Sequence, residues 1–359
     1  MRSRVLCGLA ASVALLATGC GSGADSGDAG RAAPAPTATT TGFPVRVTDC
    51  AGAETAFDSA PKRIVTSNAS GLEMLLRLGA GGTVIGTGFP PGKGALPAEL
   101  AEQAARVPVL GAMVIPKEKL LGSGADLYVD TFADMGGMGG AMGAAPTAQE
   151  YAAAGIKHVY LRSTACAAQL KGPQQDLSEV EADIRRLGQV TGTSARAEDL
   201  VATMERQVGA VRTAVAGIAA EQRPGYFFFD FDAGTKQPIA VCGRQVANAV
   251  ITLAGARNVF DDCEGDFKPV PWEEVVARNP AWIQLGVRNR GSEEETRKAF
   301  EEAERFLREF PATRGLEAVQ AGHFLRIGSE ATTIAGVRNA DTVRQIAATV
   351  HPDLVKDGR

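Results

Sequence analysis

Short apolar runs alternate with stretches of helical periodicity along most of this chain. Residues 62–66, 83–87, 126–130 and 157–161 are apolar or β-branched at their centres and predict strands. Between them, residues 71–79 carry a helical pattern stopped by glycine, and residues 151–155 predict a second helix. From Ser178 to about Ala220 the pattern is helical throughout, with an interruption at 188–192. Within it, Leu200, Met204, Val208, Val211 and Val215 recur close to helical spacing, and no proline or paired glycine breaks residues 195–220. That stretch predicts one helix ~39 Å long at 1.5 Å per residue. The alternation then restarts, with strands at 226–230, 282–286 and 323–327 and helices at 243–254, 293–310 and 340–351. Short apolar strands spaced by helices imply buried parallel sheets on both sides of the long helix.

The start of the chain follows a different pattern. Arg2 and Arg4 precede an apolar stretch from Val5 to Leu16, and small residues lead up to Cys20. The apolar core is too short to cross a bilayer as a mature helix, so it predicts an export signal over residues 1–19. Ala17-Thr18-Gly19-Cys20 resembles a bacterial lipobox, with Ala17 where leucine is commonest. In that pattern the Cys20 thiol takes a diacylglycerol and becomes the new amino terminus. Residues 20–42 are rich in Gly, Ala, Ser, Thr and Pro without apolar periodicity, the composition of a flexible tether. Three folded segments follow: an N-terminal lobe over 43–177, a helical linker over 178–222 and a C-terminal lobe over 223–359.

The bulk numbers narrow the class. Loss of Arg2 and Arg4 would take the formal charge from −4 to −6, which argues against nucleic acid as a partner. At 359 residues and 45% hydrophobic content the chain can bury sizeable cores in two domains. No later segment is long and apolar enough to span a membrane, which leaves the lipid as the expected anchor on the extracytoplasmic face. Cys50, Cys166, Cys242 and Cys263 remain after the signal and lipid cysteines, an even number suited to an oxidising compartment. Of three possible pairings, Cys50–Cys166 and Cys242–Cys263 keep each bridge within one predicted lobe. No CxxC spacing supports a metal-thiolate site.

Two segments about 155 residues apart share one plan. Pro116-Lys117-Glu118 and Pro271-Trp272-Glu273 each place Pro two residues before Glu, with aliphatics and a strand following. Pro opens a helix well, and a carboxylate suits the positive helix end, which explains either glutamate alone. Recurrence in both halves points instead to two matched carboxylates on a pseudo-symmetric body.

Several further pieces stand in order along the chain: Pro61-Lys62-Arg63-Ile64-Val65, Leu72-Glu73-Met74-Leu75-Leu76-Arg77-Leu78-Gly79, Ala125-Asp126-Leu127-Tyr128-Val129 and Ala254-Gly255-Ala256-Arg257-Asn258-Val259-Phe260. Trp272-Glu273-Glu274 with Asn279-Pro280, and the late segment 315–322, complete the ordered set. Together, over residues 45–352, they resemble the class III substrate-binding proteins of ABC importers, the iron-siderophore and cobalamin binders. Ala125 and Ala256 depart from the family's common Pro and Gly. The resemblance implies an α/β fold of two Rossmann-like lobes with parallel sheets, joined by a single long α-helix. It implies a monomer that takes ligand between the lobes, works with an ABC permease and its ATPase, and catalyses nothing. Glu118 and Glu273 fall where the family keeps the carboxylates that dock onto permease arginines.

Open parallel sheets place their clefts at the carboxyl ends of the strands. That rule nominates Ser67, Asn68, Ser70, Phe89 and Phe132 in the first lobe, followed by a glycine-rich loop with Met135, Met138 and Met142. Flexible thioethers there suit an irregular apolar ligand, or tuck against their own lobe. In the second lobe the rule nominates Asp230, Phe231, Arg288, Arg290 and Arg338. Aromatics with arginines fit an anionic or carbonyl-rich iron chelate. A bare metal ion is disfavoured, because His158, His323 and His351 fall at strand starts or a helix end and converge with no carboxylates. No cofactor is expected. An enzyme is disfavoured too: Gly-x-Ser-x-Gly and Gly-x-x-x-x-Gly-Lys-Ser/Thr are absent, and Ser67-Asn68-Ala69-Ser70 lacks a partner histidine. The expected function is a lipid-anchored receptor for an iron(III)-siderophore. The alternatives are a cobalamin or haem receptor of the same fold, or a lipoprotein that presents ligand to a sensor.

Overall fold

A computed structural model describes residues 42–132 and 145–356. Cys20, Met135, Met138 and Met142 lie outside the described residues. The N-terminal part opens on an antiparallel hairpin of β1 (Val45–Thr48) and β2 (Glu54–Phe57). Asp49 Oδ1 accepts from the amides of Ala51 and Ala53 to close its turn. Then come β3 (Ile64–Thr66), β4 (Val84–Thr87), β5 (Leu127–Asp130) and β6 (Lys157–Tyr160), all parallel, in the order β4-β3-β5-β6. Every residue of β3 is buried, as expected of a strand covered on both faces.

The second lobe repeats this plan. It contains β7 (Gly225–Asp230), β8 (Ile239–Val241), β9 (Arg257–Asn258), β10 (Phe267–Pro269), β11 (Trp282–Gly286) and β12 (Phe324–Leu325). Its main sheet is again parallel, in the order β9-β7-β11-β12, while β8 and β10 pair antiparallel beside it. Strand for strand, β7 takes the place of β3, β9 of β4, β11 of β5 and β12 of β6. The repeat legible around Glu118 and Glu273 is thus the lead-in to equivalent strands, β5 and β11.

Two helices join the lobes. Ser178–Thr191 ends at Gly192, whose φ of 71° makes the left-handed turn, and Thr193 N bonds back to Gly188 O at 2.7 Å. Ser194–Val215 is the long helix, 22 residues and ~33 Å. Ala197, Val201, Met204, Val208, Val211 and Val215 form its buried stripe. It stops before the Ala220 that the sequence pattern predicts, because the chain turns at Ala216 and Gly217.

One hydrophobic core runs from the first lobe through this helix into the second. It includes Leu72, Met74 and Val129, then Val208 and Val211, then Tyr226, Ile251, Val343 and Ile346. A separate aromatic core fills the far side of the second lobe, where Phe229 lies 5.3 Å from Trp272 and 5.9 Å from Phe306 between ring centroids. Cys50 bonds to Cys166 and Cys242 to Cys263, so each bridge closes within one half of the molecule. Each restricts the unfolded chain, the first across 116 residues and the second across 21.

Candidate functional site

The carboxyl ends of β3 and β5 are locked together by side chains. Ser67 Oγ lies 3.2 Å from Thr131 Oγ1 and accepts from Thr131 N at 3.1 Å. Asn68 caps the helix Ala69–Arg77 by accepting from Ser70 N and Gly71 N, and its amide nitrogen donates to Thr131 Oγ1. Both residues are buried and their polar groups are used within the lobe. Ser70 instead reaches across, its hydroxyl donating to Ala335 O of the other lobe at 2.5 Å. Phe89 is half-buried and held at a φ of 31°, with Phe89 N donating to Met113 O and Phe89 O accepting from Ala69 N. A bulky side chain at positive φ is a strained conformation of the kind that gathers at ligand sites. Phe132, also half-buried, has its amide fixed by Asp130 Oδ1 at 3.1 Å.

Across the gap, Asp230 and Asp232 follow β7 and meet the arginines that follow β11. Arg288 Nη2 lies 3.4 Å from Asp230 Oδ2, and Arg290 pairs with Asp232. Arg288 N also donates to Asp232 Oδ2 at 2.6 Å. Burial pushes the Asp230 carboxyl up, and Arg288 opposes that shift. The side chains of Arg288 and Arg290 remain 40% and 44% exposed, so each guanidinium keeps donors for a further partner. Phe231 packs against Phe229 and Phe306 and belongs to the edge of the aromatic core.

Arg338 has a different employment. Its Nε bonds Glu73 Oε2 at 2.6 Å, while Arg77 holds Glu73 Oε1 at 2.8 Å. Glu73 is 1% exposed, so a buried carboxylate from the first lobe is clamped between an arginine of each lobe. Sequence reasoning missed Glu73, although its place inside the apolar run 72–76 was a signal: a charge in a fully buried helix needs a partner. It also missed Asn289, while Asp232 stood beside Asp230 at the end of the predicted strand 226–230. The lobes approach closely at the rim, where a Cβ on Gly92 would fall 1.8 Å from Asn289 Oδ1 and one on Gly94 would fall 2.8 Å from Glu293 Oε1. This puts the loop after Phe89 against the loop that carries Arg288 and Arg290. A cavity of about 270 Å³ opens there beside Lys93, Glu293 and Phe300. It is below the ~300–1,000 Å³ of a typical small-molecule site.

Glu118 and Glu273 occupy the first turns of the helices Lys117–Leu121 and Trp272–Arg278. Both are exposed, and neither has an ion-pair partner among the described residues. Neighbouring charges are committed elsewhere: Lys117 pairs with Glu150 at 2.5 Å, and Arg278 with Glu274 and Asp262. Lys117, followed by the Thr147 cap, brings the Glu150 carboxyl from 4.5 down to about 2. A depressed folded value means this pair supports the fold above pH 4.5 and fades as pH falls towards about 2. Lys117→Met should therefore return Glu150 towards its ordinary titration, read by carboxyl NMR. An unchanged titration would refute the pairing.

Among the described residues no group of three His, Cys, Asp or Glu could hold a metal ion. His323 stacks on Trp282 at 4.3 Å, and His351 Nε2 lies 3.0 Å from Gly255 O. No helix among the described residues is long and apolar enough to cross a membrane.

Two parallel α/β lobes facing each other across a helical linker, with paired charges and aromatics at their strand ends, define a solute-binding protein. Residues 64–331 match the family model described as periplasmic binding protein, and the chain belongs to that family. It is the solute-binding component of an ABC transporter, with a permease and an ATPase as its partners, and not an enzyme. Over 345 residues, 96% of each chain, it is 22% identical to YvrC, an uncharacterised ABC transporter substrate-binding lipoprotein of Bacillus subtilis. A periplasmic binding protein of Veillonella parvula superposes with a TM-score of 0.72 at 22% identity, covering 86% of this chain and 97% of that one. An ABC-type Fe3+-hydroxamate transport protein of Saccharomonospora viridis gives 0.68 at 21% identity, covering 86% and 99%. The periplasmic heme-binding protein RhuT of a Roseiflexus species gives 0.60 at 20% identity, covering 82% and 98%.

Proposed function

We propose that this chain captures an iron(III)-siderophore between its lobes and delivers it to an ABC permease. One observation carries the reading: Arg288 and Arg290 stand half-exposed at the rim that meets the loop after Phe89. Guanidinium groups present forked donors to carboxylates, hydroxamates or catecholates, and a neighbouring aromatic covers the apolar parts of a chelate. Phe132 follows β5 at the carboxyl end of the first lobe's sheet, and Asp230 and Asp232 pre-orient the arginines. Arg338, Ser70 and Asn68 hold the frame. The similarity to the Saccharomonospora Fe3+-hydroxamate protein supports the ligand class. Cys20 would carry the lipid, and residues 20–42 would let a monomer on the extracytoplasmic face reach its permease.

Calorimetric titration of the full chain, purified in detergent, tests the ligand. Ferric hydroxamates should bind tightly, and cobalamin and haem weakly. Replacing Arg288 and Arg290 together by alanine should weaken the ferric complex by at least about 100-fold, the loss of two charge-assisted contacts of ~1.5–3 kcal/mol each. Tight binding of haem or cobalamin alone would overturn the ligand assignment.

A further inference from the structure

Five large apolar side chains stand exposed among the described residues: Val109, Met113, Phe267, Val276 and Leu354. Four of them fall in two ten-residue stretches, 109–118 and 267–276, one in each lobe. Each stretch also holds one of the two matched glutamates, Glu118 and Glu273. Single exposed apolar residues are ordinary on any protein surface. This placement instead follows the internal repeat: Met113 lies five residues before Glu118, and Phe267 six before Glu273.

The backbone at each of these positions is fixed. Val109 bridges to Thr87, and Met113 O accepts from Phe89 N at 3.1 Å. Gly88 permits that approach, since a Cβ there would fall 3.0 Å from Met113 O. Phe267 pairs with Val241 in the β8–β10 ladder, and its amide donates to Asp266 Oδ1 at 2.9 Å. Val276 sits on the helix Trp272–Arg278, which buries Trp272 and Val275. Glu273 and Val276 remain exposed on that helix, three residues apart and therefore neighbours on its surface. Chain length alone keeps Met113 within ~18 Å of Glu118, and Phe267 within ~22 Å of Glu273. Both spans fit inside one partner's share of a standard interface, about 800 Å² or roughly 30 Å across.

We propose that Met113, Phe267 and Val276, with Val109, are the apolar contacts of the surface that docks onto the permease, set around its two carboxylates. This rests on the reading of Glu118 and Glu273 as docking residues, and it adds the chemistry of the partner. Beside each cation that meets a carboxylate, the permease presents apolar side chains. Apolar cover keeps water away from an ion pair and so strengthens the attraction between its charges. The carboxylates then steer encounter and set register, while apolar burial slows release. A contact with the transported ligand is the rival use for Met113, which adjoins Phe89.

The affinity of the ligand-free full chain for its permease–ATPase complex in lipid nanodiscs tests this, with ferric hydroxamate affinity and the midpoint of urea unfolding as controls. Met113→Gln, Phe267→Thr and Val276→Thr together should weaken the permease complex at least about tenfold and leave both controls unchanged. Phe267→Leu, which keeps an apolar group, should bind as the wild type does. The three single variants are measured as well, so a folding defect in one leaves the others to decide. A triple variant that binds the permease as tightly as the wild type overturns the proposal, even where Glu118→Ala with Glu273→Ala weakens binding. Loss in the triple variant, with none in the glutamate pair, overturns the reading of the carboxylates and leaves the apolar contacts standing. Weaker hydroxamate binding by Met113→Gln, with permease affinity unchanged, moves that side chain to the cleft and overturns its place here.

Discussion

Replacing Glu118 and Glu273 together by alanine should abolish import while leaving ligand affinity intact. Both carboxylates are exposed in the first turn of a short helix, one in each lobe, and the local cations are already paired with other acids. Each is therefore free to meet a permease arginine. Truncating one partner of such an interfacial charge pair costs ~2–5 kcal/mol, a factor of ~30 to several thousand. If they dock onto the permease, losing both would remove one point of attachment in each lobe. Each single variant should import measurably but slowly, and charge reversal to lysine should be worse than alanine. Uptake of radiolabelled ferric ligand by cells carrying each variant reads the first effect, and calorimetry the second. A fall in ligand affinity would move these residues from the docking surface to the cleft or the fold.

Glu73→Ala should destabilise the chain by about 3 kcal/mol, the low end for breaking a buried ion pair, because Arg77 and Arg338 keep some contact with water. The variant leaves two arginines converging on an empty, apolar-walled space. Arg338→Ala should cost less, since Arg77 still neutralises Glu73. The midpoint of urea unfolding reads both. Because Glu73 ties the lobes together along with the Ser70 bond to Ala335, the variant should also widen the distribution of distances between spin labels placed on the two lobes. In the wild type that distribution should shift little when ligand binds, since a packed helix and a shared core make a poor hinge. A wild-type-like midpoint in Glu73→Ala would show that the clamp contributes nothing.

Much of the fold was legible because parallel strands covered on both faces must be continuously apolar. Ile64-Val65-Thr66 and Trp282-Ile283-Gln284-Leu285-Gly286 stand out for that reason alone. The long helix was legible from its buried stripe, but its end was set by a turn at Gly217 that periodicity does not reveal. The β1–β2 hairpin went unread, although Val45 and Val47 alternate with polar residues and Asp49 supplies a turn. At the site, strand ends gave Arg288 and Arg290 their positions. Their pairing with Asp230 and Asp232 depends on two strands meeting 58 residues apart in sequence. The bond between Glu73 and Arg338 spans 265 residues, and only packing creates it. Arg338 looked like a cleft residue because it follows a strand, and burial of its partner gave it another role.

The shared core has a consequence for how this chain comes into being. The core that holds Leu72, Met74 and Val129 of the first lobe also holds Val343 and Ile346, in the closing helix Arg338–Val350. A chain that emerges amino end first therefore cannot mature lobe by lobe. The early half waits with apolar surface uncovered and Glu73 short of its second arginine. The last few dozen residues to emerge complete both lobes at once. Cellular quality control thus meets either an unfinished chain or a finished receptor, and truncation near the carboxyl end should be as damaging as truncation near the start.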